Sequence, residues 1–232
     1  MNLSYVQQSL KSEKERLNLI SHPALARFKE SKFTKEQVAL ILGQWYYPLE
    51  NFPFFLSASI AHIRIAPIQT FISDILHEEL GCGNPSQSHL DLYVATCSDA
   101  GITSDMIVNR PPFKATRELI DGYKRSVKKR NSALGFIYAT EVCDLAMVSS
   151  IGTALGKVTG KTVKELPWVD IHLKQEPNHV NKVDQALNVE LSQDDLDEIL
   201  SSAREMWRLW INFFTEIDKN LNHGEPAVAI AD

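Results

Sequence analysis

The sequence predicts an all-α protein, a bundle of about seven to nine helices. Apolar residues recur at offsets of three and four along almost the whole chain, and few stretches alternate as a strand would. Helix start and stop signals punctuate the same stretches. Hydrophobic residues make up 44% of 232 residues, enough for a sizeable core.

The elements follow in order. Residues 6–20 form an amphipathic helix that stops at Ser21-His22-Pro23, and a short helical piece begins at Ala24. Thr34-Lys35-Glu36-Gln37 is a capping box, with the Thr34 hydroxyl over the first turn and Gln37 reaching back. The helix it opens carries Val38, Ile41, Leu42 and Trp45 on one side. Pro48 perturbs it by removing a backbone donor, and the apolar stripe resumes through Phe52, Phe55, Leu56, Ile60 and Ile63. Pro67 suits a first helical position ahead of Ile68, Phe71, Ile72 and Ile75. Gly81-Cys82-Gly83-Asn84-Pro85 is a break, and Ser86 is expected to cap a helix to about residue 100. After the turn at Pro111-Pro112 come helices over 114–129 and 132–157, a loop at 159–161, and a polar segment, 168–180. Ser192, with Asp194 and Asp195 in the first turn, caps a last helix through 221. The expectation is one domain over 1–222 and a flexible tail over 223–232.

Composition narrows the function. Net charge is −5 with mixed signs, and no basic stripe with interleaved aromatics points to nucleic acid. No signal peptide or apolar run of transmembrane length is evident, so a cytoplasmic protein off the membrane is expected. Cys82, Cys97 and Cys143 are too scattered for a disulfide framework or a zinc knuckle. The expected partners are a small-molecule substrate and a second copy in a homodimer.

A buried charge must be paired, bound to a metal or neutralised, so carboxylates and histidines on apolar stripes are the informative residues. In WVDIHLKQEPNHV, His172, Glu176 and His179 stand at i, i+4 and i+7, on one helical face. Two imidazoles and a carboxylate there suit iron, manganese or zinc; alone, the same spacing fits a solvated polar face. Glu141 lies amid Leu134, Ile137, Tyr138, Leu145 and Val148, so its carboxylate should face the core, as a metal ligand or paired with an Arg or Tyr; Asp144, nearly a turn on, is less central. Glu78 and Glu79 follow Ile75 at three and four residues, so periodicity does not separate them. His89 follows the break, and Glu50 is the one acid in an aromatic stretch; a solvated helix end and a turn are the plainer readings there. His22 begins an X-Pro turn, His223 lies in the tail, and His62 and His77 could face inward but lack a carboxylate at ligand spacing within their own helices. Cys143 points away from the face of Glu141 and reads as a small packing residue. Several helices thus offer inward carboxylates together with His89, His172 and His179, as a dinuclear iron or manganese site in a helical bundle needs.

With Glu50 in QWYYPLENFPFFL, the acidic pair in HEELGCGNPSQSH, Glu141 in IYATEVCDLA and the closing His172/Glu176/His179 triplet, the chain resembles the haem-oxygenase-like diiron oxidases and oxygenases, sisters of the PqqC and TenA groups, and above all the CADD-like branch. The resemblance covers most of the chain. It implies a haem-oxygenase-like bundle and a metal set of Glu78, His89, Glu141, His172, Glu176 and His179, with Glu50 as a further carboxylate found in N-oxygenase and fatty-acid-cleaving branches. Leu25 and Ile151 stand where the CADD-like branch would place a tyrosine consumed as its own substrate and a supporting lysine. Pro177 predicts an irregular helix between Glu176 and His179, ordered least when metal is absent.

The expected function is an O2-dependent non-haem diiron oxidase or oxygenase, with two Fe(II) or an Fe/Mn pair, acting on an amine, amino acid or fatty acid. The alternatives are a metal-free TenA/PqqC-like enzyme using acid/base residues with Cys143 as nucleophile, a CADD-like p-aminobenzoate synthase, and an interaction protein.

Overall fold

The protein's structure is a computed structural model that describes residues 8–222; the tail expected to be flexible lies outside them. From Lys14 onward the described residues form ten α-helices: α1 Lys14–Ile20, α2 Pro23–Glu30, α3 Lys35–His62, α4 Ala66–Glu79, α5 His89–Asp99, α6 Ser104–Val108, α7 Lys114–Ser126, α8 Arg130–Thr159, α9 Pro167–Ala186 and α10 Gln193–Asn222. No strand occurs among the described residues. The extra helix beyond the expected range is α6, a single short turn of helix in the stretch before Pro111-Pro112.

Side-chain caps fix several of these boundaries. The Thr34 hydroxyl accepts from the Gln37 amide at 3.2 Å while Gln37 accepts from the Thr34 amide at 2.9 Å, closing the capping box that opens α3. α3 then runs unbroken through Pro48 and Pro53. A proline removes one backbone donor, and burial of fourteen α3 residues holds the remaining ladder together. Ser88, not Ser86, caps α5, accepting from the Asp91 amide at 3.1 Å; Ser86 sits in a 3-10 turn, Pro85–Gln87. Ser192 and Asp195 exchange bonds of 3.1 and 3.0 Å ahead of α10.

α8 is the central helix and packs against α10, α9, α2 and α3. By length and composition it could cross a membrane, but 72% of its most apolar window is buried inside the protein, so its apolar surface is spent on the bundle. Gly135 and Gly152 let its neighbours approach. A Cβ at Gly135 would lie 2.5 Å from the Ile199 carbonyl oxygen of α10, and one at Gly152 would lie 2.7 Å from a Val169 methyl of α9. An ordinary Gly→Ala change inside a helix gains about 1 kcal/mol from propensity. Here the clash dominates, because a helix backbone and a χ1-restricted valine yield little. Gly135→Ala and Gly152→Ala are therefore expected to destabilise by about 1–3 kcal/mol, with Gly135→Ala the worse; denaturant unfolding reads this directly.

α9 follows one face. Its buried residues are Trp168, Val169, His172, Glu176, His179, Val183 and Ala186, so the polar triplet stands in line with apolar anchors. The expected irregularity at Pro177 does not occur: α9 is one continuous helix with Pro177 on its exposed face, where its ring meets solvent and only the outer backbone ladder is interrupted.

Candidate metal centre

Four helices meet at one buried cluster. α4 ends there, and the turn after it is forced by backbone conformation. Gly81 and Gly83 have φ of 83° and 87°, Cys82 between them has φ 53°, and a Cβ at Gly81 would sit 2.2 Å from the Asn84 carbonyl oxygen. This tight reversal returns the chain so that His89, the first residue of α5, faces Glu79, the last residue of α4: His89 Nδ1 lies 2.9 Å from Glu79 Oε2. α8 contributes Glu141 and Asp144, and α9 contributes His172, Glu176 and His179.

Two sets of side chains within this cluster are spaced to hold a cation. Glu141, Glu176 and His179 present ligand atoms within 4.8 Å of one another, as do Asp144, His172 and Glu176. Glu176 belongs to both sets and so joins them. Glu79 and His89 adjoin them, with the His89 and His172 rings 4.4 Å apart.

Each histidine is turned by the partner of its outer nitrogen. His172 Nδ1 lies 2.7 Å from the Trp168 carbonyl oxygen, so it donates there and leaves the Nε2 lone pair facing Asp144, 3.9 Å away. His89 Nε2 lies 2.8 Å from Gln175 Oε1, which turns Nδ1 inward. His179 Nε2 lies 2.8 Å from Glu78 Oε2, and Nδ1 faces Glu141 at 3.2 Å and Glu176 at 3.4 Å.

The electrostatics are those of a crowded anionic site. Burial, reinforced by Glu176 and Glu141, pushes Asp144 well above the ordinary aspartate value. Burial also lifts Glu176 to about 7 against the pull of His179. Burial would lower His179, but Glu141 and Glu176 outweigh it and raise His179 to about 12. Burial, with His89 adding to it, holds His172 neutral, down to about 3. Burial would raise Glu79, yet His89, His172 and His179 bring it to about 2.

The residues fit a cation pair. Glu141 Oε1, Asp144 Oδ2 and Glu176 Oε2 are buried and lack a hydrogen-bond partner. Orphaned acceptors of this kind are costly unless a cation takes them. The charges of Glu79, Glu141, Asp144 and Glu176 would cancel those of two dications, and an oxygen-rich set with imidazole suits iron or manganese. A cavity of about 30 Å³ adjoins these ligands, walled by Trp45, Leu49, Phe52, Tyr123, Thr140 and Trp210. It has room for one or two molecules the size of water.

The sequence-predicted residues separate cleanly. His89, Glu141, His172, Glu176 and His179 converge. Of the acidic pair, Glu79 enters the cluster and is 4% exposed, whereas Glu78 stands behind His179. Glu79 continues the buried stripe Ile68, Ile72, Ile75 by four residues, a register the packed structure settles. Glu50 does not line the cavity; it accepts a 2.9 Å bond from the Tyr46 hydroxyl, one residue round the helix from Leu49, which does. Asp144 is more central than expected, because the inner stripe of α8 passes through 144 while Leu145 is 38% exposed. Trp45 and Phe52 line the cavity, and Tyr46, Phe55 and Tyr138 do not. Burial raises the Cys143 thiol to about 12, and it lies off the cavity, so it is no nucleophile there. Cys143→Ser is expected to leave metal uptake unchanged, measured by metal content after loading.

Comparison with known proteins places the fold and the chemistry. The chain is 21% identical over 214 residues to a 4-aminobenzoate synthase of Chlamydia pneumoniae, covering 90% of this chain and 92% of that protein. It is 25% identical over 170 residues to a 4-chloro-allylglycine synthase of Streptantibioticus cattleyicolor, covering 72% and 65%. Among solved structures, a CADD-like protein from Nostoc punctiforme matches with a TM-score of 0.80 at 14% identity, covering 94% of this chain and 98% of that one. A TenA homologue from Pseudomonas syringae matches at 0.73 and 12%, covering 94% and 96%. Haem oxygenase-1 from Synechocystis matches at 0.67 and 14%, covering 96% and 95%. The model of a family described as iron-containing redox enzymes matches residues 40–211, across α3 to α10 and every residue of the buried cluster: the chain belongs to the iron-containing redox enzymes and carries the haem-oxygenase-like helical fold.

Proposed function

We propose that the protein is a non-haem diiron oxidase or oxygenase that uses O2 to oxidise a small organic substrate. The observation that carries this is the sharing of Glu176 between the Glu141/Glu176/His179 and Asp144/His172/Glu176 sets. One carboxylate between two ligand sets is how a bundle supports a dinuclear centre.

Glu79, His89, Glu141, Asp144, His172, Glu176 and His179 would hold the pair. The pair, when bound, supplies electrons to O2 and the oxidising equivalents for the substrate. The chain's own work is to orient and to exclude. The Trp168 carbonyl keeps the proton of His172 on Nδ1, so that ring meets a cation without rearranging. Trp45, Leu49, Phe52 and Trp210 keep bulk water off the ligands. The Tyr123 hydroxyl, kept protonated by burial and by Asp144, holds a proton at Oη on the cavity wall.

The cavity beside the ligands is too small for an organic substrate, but Tyr123 also lines an open groove of about 360 Å³ with Phe54, Phe55, Ile120 and Lys124. The Phe55 and Tyr123 rings stack at 4.8 Å, and Tyr123 borders both spaces. The substrate lies on the groove side and reaches the centre past this pair. A residue of this chain as its own substrate is disfavoured at two positions: Leu25 and Ile151, which stand where the resemblance would place a consumed tyrosine and a supporting lysine, carry no such groups.

Protein loaded anaerobically with Fe(II) is expected to consume O2 with a transient optical change, while Zn(II)-loaded and metal-free protein do neither. Equal O2 uptake by the Zn(II) form, or none by the Fe(II) form, would falsify the proposal.

A further inference from the structure

Glu78 and Lys182 stand outside both ligand sets, yet they are arranged around one of the ligands. Glu78 is the penultimate residue of α4, and its side chain is 17% exposed. Its Oε2 lies 2.8 Å from His179 Nε2. Its Oε1 accepts from Lys182, which is 12% exposed and one turn beyond His179 on α9, and from Asn178 at 3.4 Å. The carboxylate is thus clamped on one oxygen so that the other meets the outer nitrogen of His179, whose side chain is fully buried. Nothing comparable backs the other two histidines. His172 donates to a neutral carbonyl and His89 faces a neutral amide.

We infer that Glu78 is a positioning residue that fixes the His179 ring and sharpens its donor strength, that Lys182 holds Glu78 in place, and that the two cation positions are unequal in consequence. A carboxylate behind a ligating imidazole fixes its tautomer and raises its basicity. His179 is therefore the stronger imidazole donor, and the Glu141/Glu176/His179 position fills before the Asp144/His172/Glu176 position. Lys182 keeps Glu78 from swinging inward to become a ligand itself.

This rests on the dinuclear reading above, and the test separates the two. Co(II) serves as the probe, with binding followed by its visible spectrum and by competition with a chromophoric chelator. Wild type is expected to take up two equivalents in resolved steps. Glu78→Gln keeps an acceptor for the His179 N–H but loses the charge, and Glu78→Ala loses both. The tighter step should weaken in the order Gln then Ala, by about 10- to 100-fold. The weaker step and the total stoichiometry should stay as in wild type, and the spectrum of the first-bound Co(II) should shift. Lys182→Met should weaken the same step by less than Glu78→Ala does.

If wild type binds no Co(II), the dinuclear reading fails. If wild type binds two equivalents and both Glu78 variants match it, the positioning role alone is wrong. If Glu78→Gln drops the stoichiometry to one, Glu78 is a ligand and the inference is overturned. If the melting temperature falls while both steps keep their affinity, the role is structural only and the inference is again overturned.

Discussion

Glu176→Gln is expected to abolish tight binding of both cations at once, a larger loss than any other single change in the cluster. Glu176 is the one residue common to the two ligand sets, so its removal opens both coordination spheres. The loss should exceed the about 10- to 100-fold that removing an outer partner costs. The same change has the opposite sign on the metal-free fold. Glu176 is a buried acid lifted to about 7 by burial, so a neutral side chain of the same shape removes a strained charge. Metal-free Glu176→Gln should melt at or above the wild-type temperature while failing to bind. A variant that binds one cation with wild-type affinity would contradict the shared role, and one that unfolds would show that Glu176 is instead part of a stabilising ion network.

The second large effect is on pH. In the metal-free fold Asp144 keeps its proton well above the ordinary value, and Glu176 keeps its own up to about 7. His179 stays protonated to about 12, and His89 is raised above 6.5 by Glu79 and Gln175 against burial. The unfolded chain has released these protons once the pH passes 6.5, the ordinary histidine value. The folded state then binds more protons than the unfolded one, so stability falls as pH rises. Each excess proton costs about 1.4 kcal/mol per pH unit. Between 4.5 and 6.5 the neutral His172 offsets one of the two excess carboxyl protons, and below about 4.5, the ordinary glutamate value, the slope reverses. His172, neutral down to about 3, and Glu79, ionised down to about 2, bind fewer protons folded than unfolded, so stability is lost on acidification. Metal-free protein should therefore melt highest on the acid side of pH 6.5, at about 4.5, and lose stability toward about pH 8, a direction opposite to that of an ordinary set of paired surface carboxylates. Bound Mn(II) should displace the trapped protons and flatten the alkaline side. A metal-free melting temperature that holds or climbs above pH 6.5 would refute the crowded-anion description.

Much of the fold was legible because local signals agreed with tertiary packing. The Thr34-to-Gln37 box and the apolar stripes of α3, α8 and α10 appear where pattern places them. Pattern overreacted to proline. Pro48 and Pro177 both sit inside continuous helices, since one lost donor is outweighed when the rest of the helix is buried. The cluster was legible in kind rather than in register. His172, Glu176 and His179 announce themselves by spacing, and Glu141 by its apolar neighbours. Telling Glu79 from Glu78, or weighing Asp144 against Leu145, needs a rotation of the helix by one residue, about 100°. Period alone does not resolve that, because the direction of the core is set by helices distant in sequence. Glu50 was misleading for the same reason: an acid among aromatics looked inward, and Tyr46 satisfies it beside the cavity instead. The role of Glu78 was not legible at all, since it depends on a pairing with His179 across 101 positions of sequence.

Everything proposed for the cluster requires a centre that binds two metal ions per chain. Anaerobic Fe(II) titration of the purified protein, read by metal content and Mössbauer spectroscopy, tests it most directly. The account predicts uptake of two ferrous ions per chain in two distinguishable environments, because the two ligand sets differ in composition. Saturation at one ion per chain, or no uptake above that of Glu176→Gln, would contradict it.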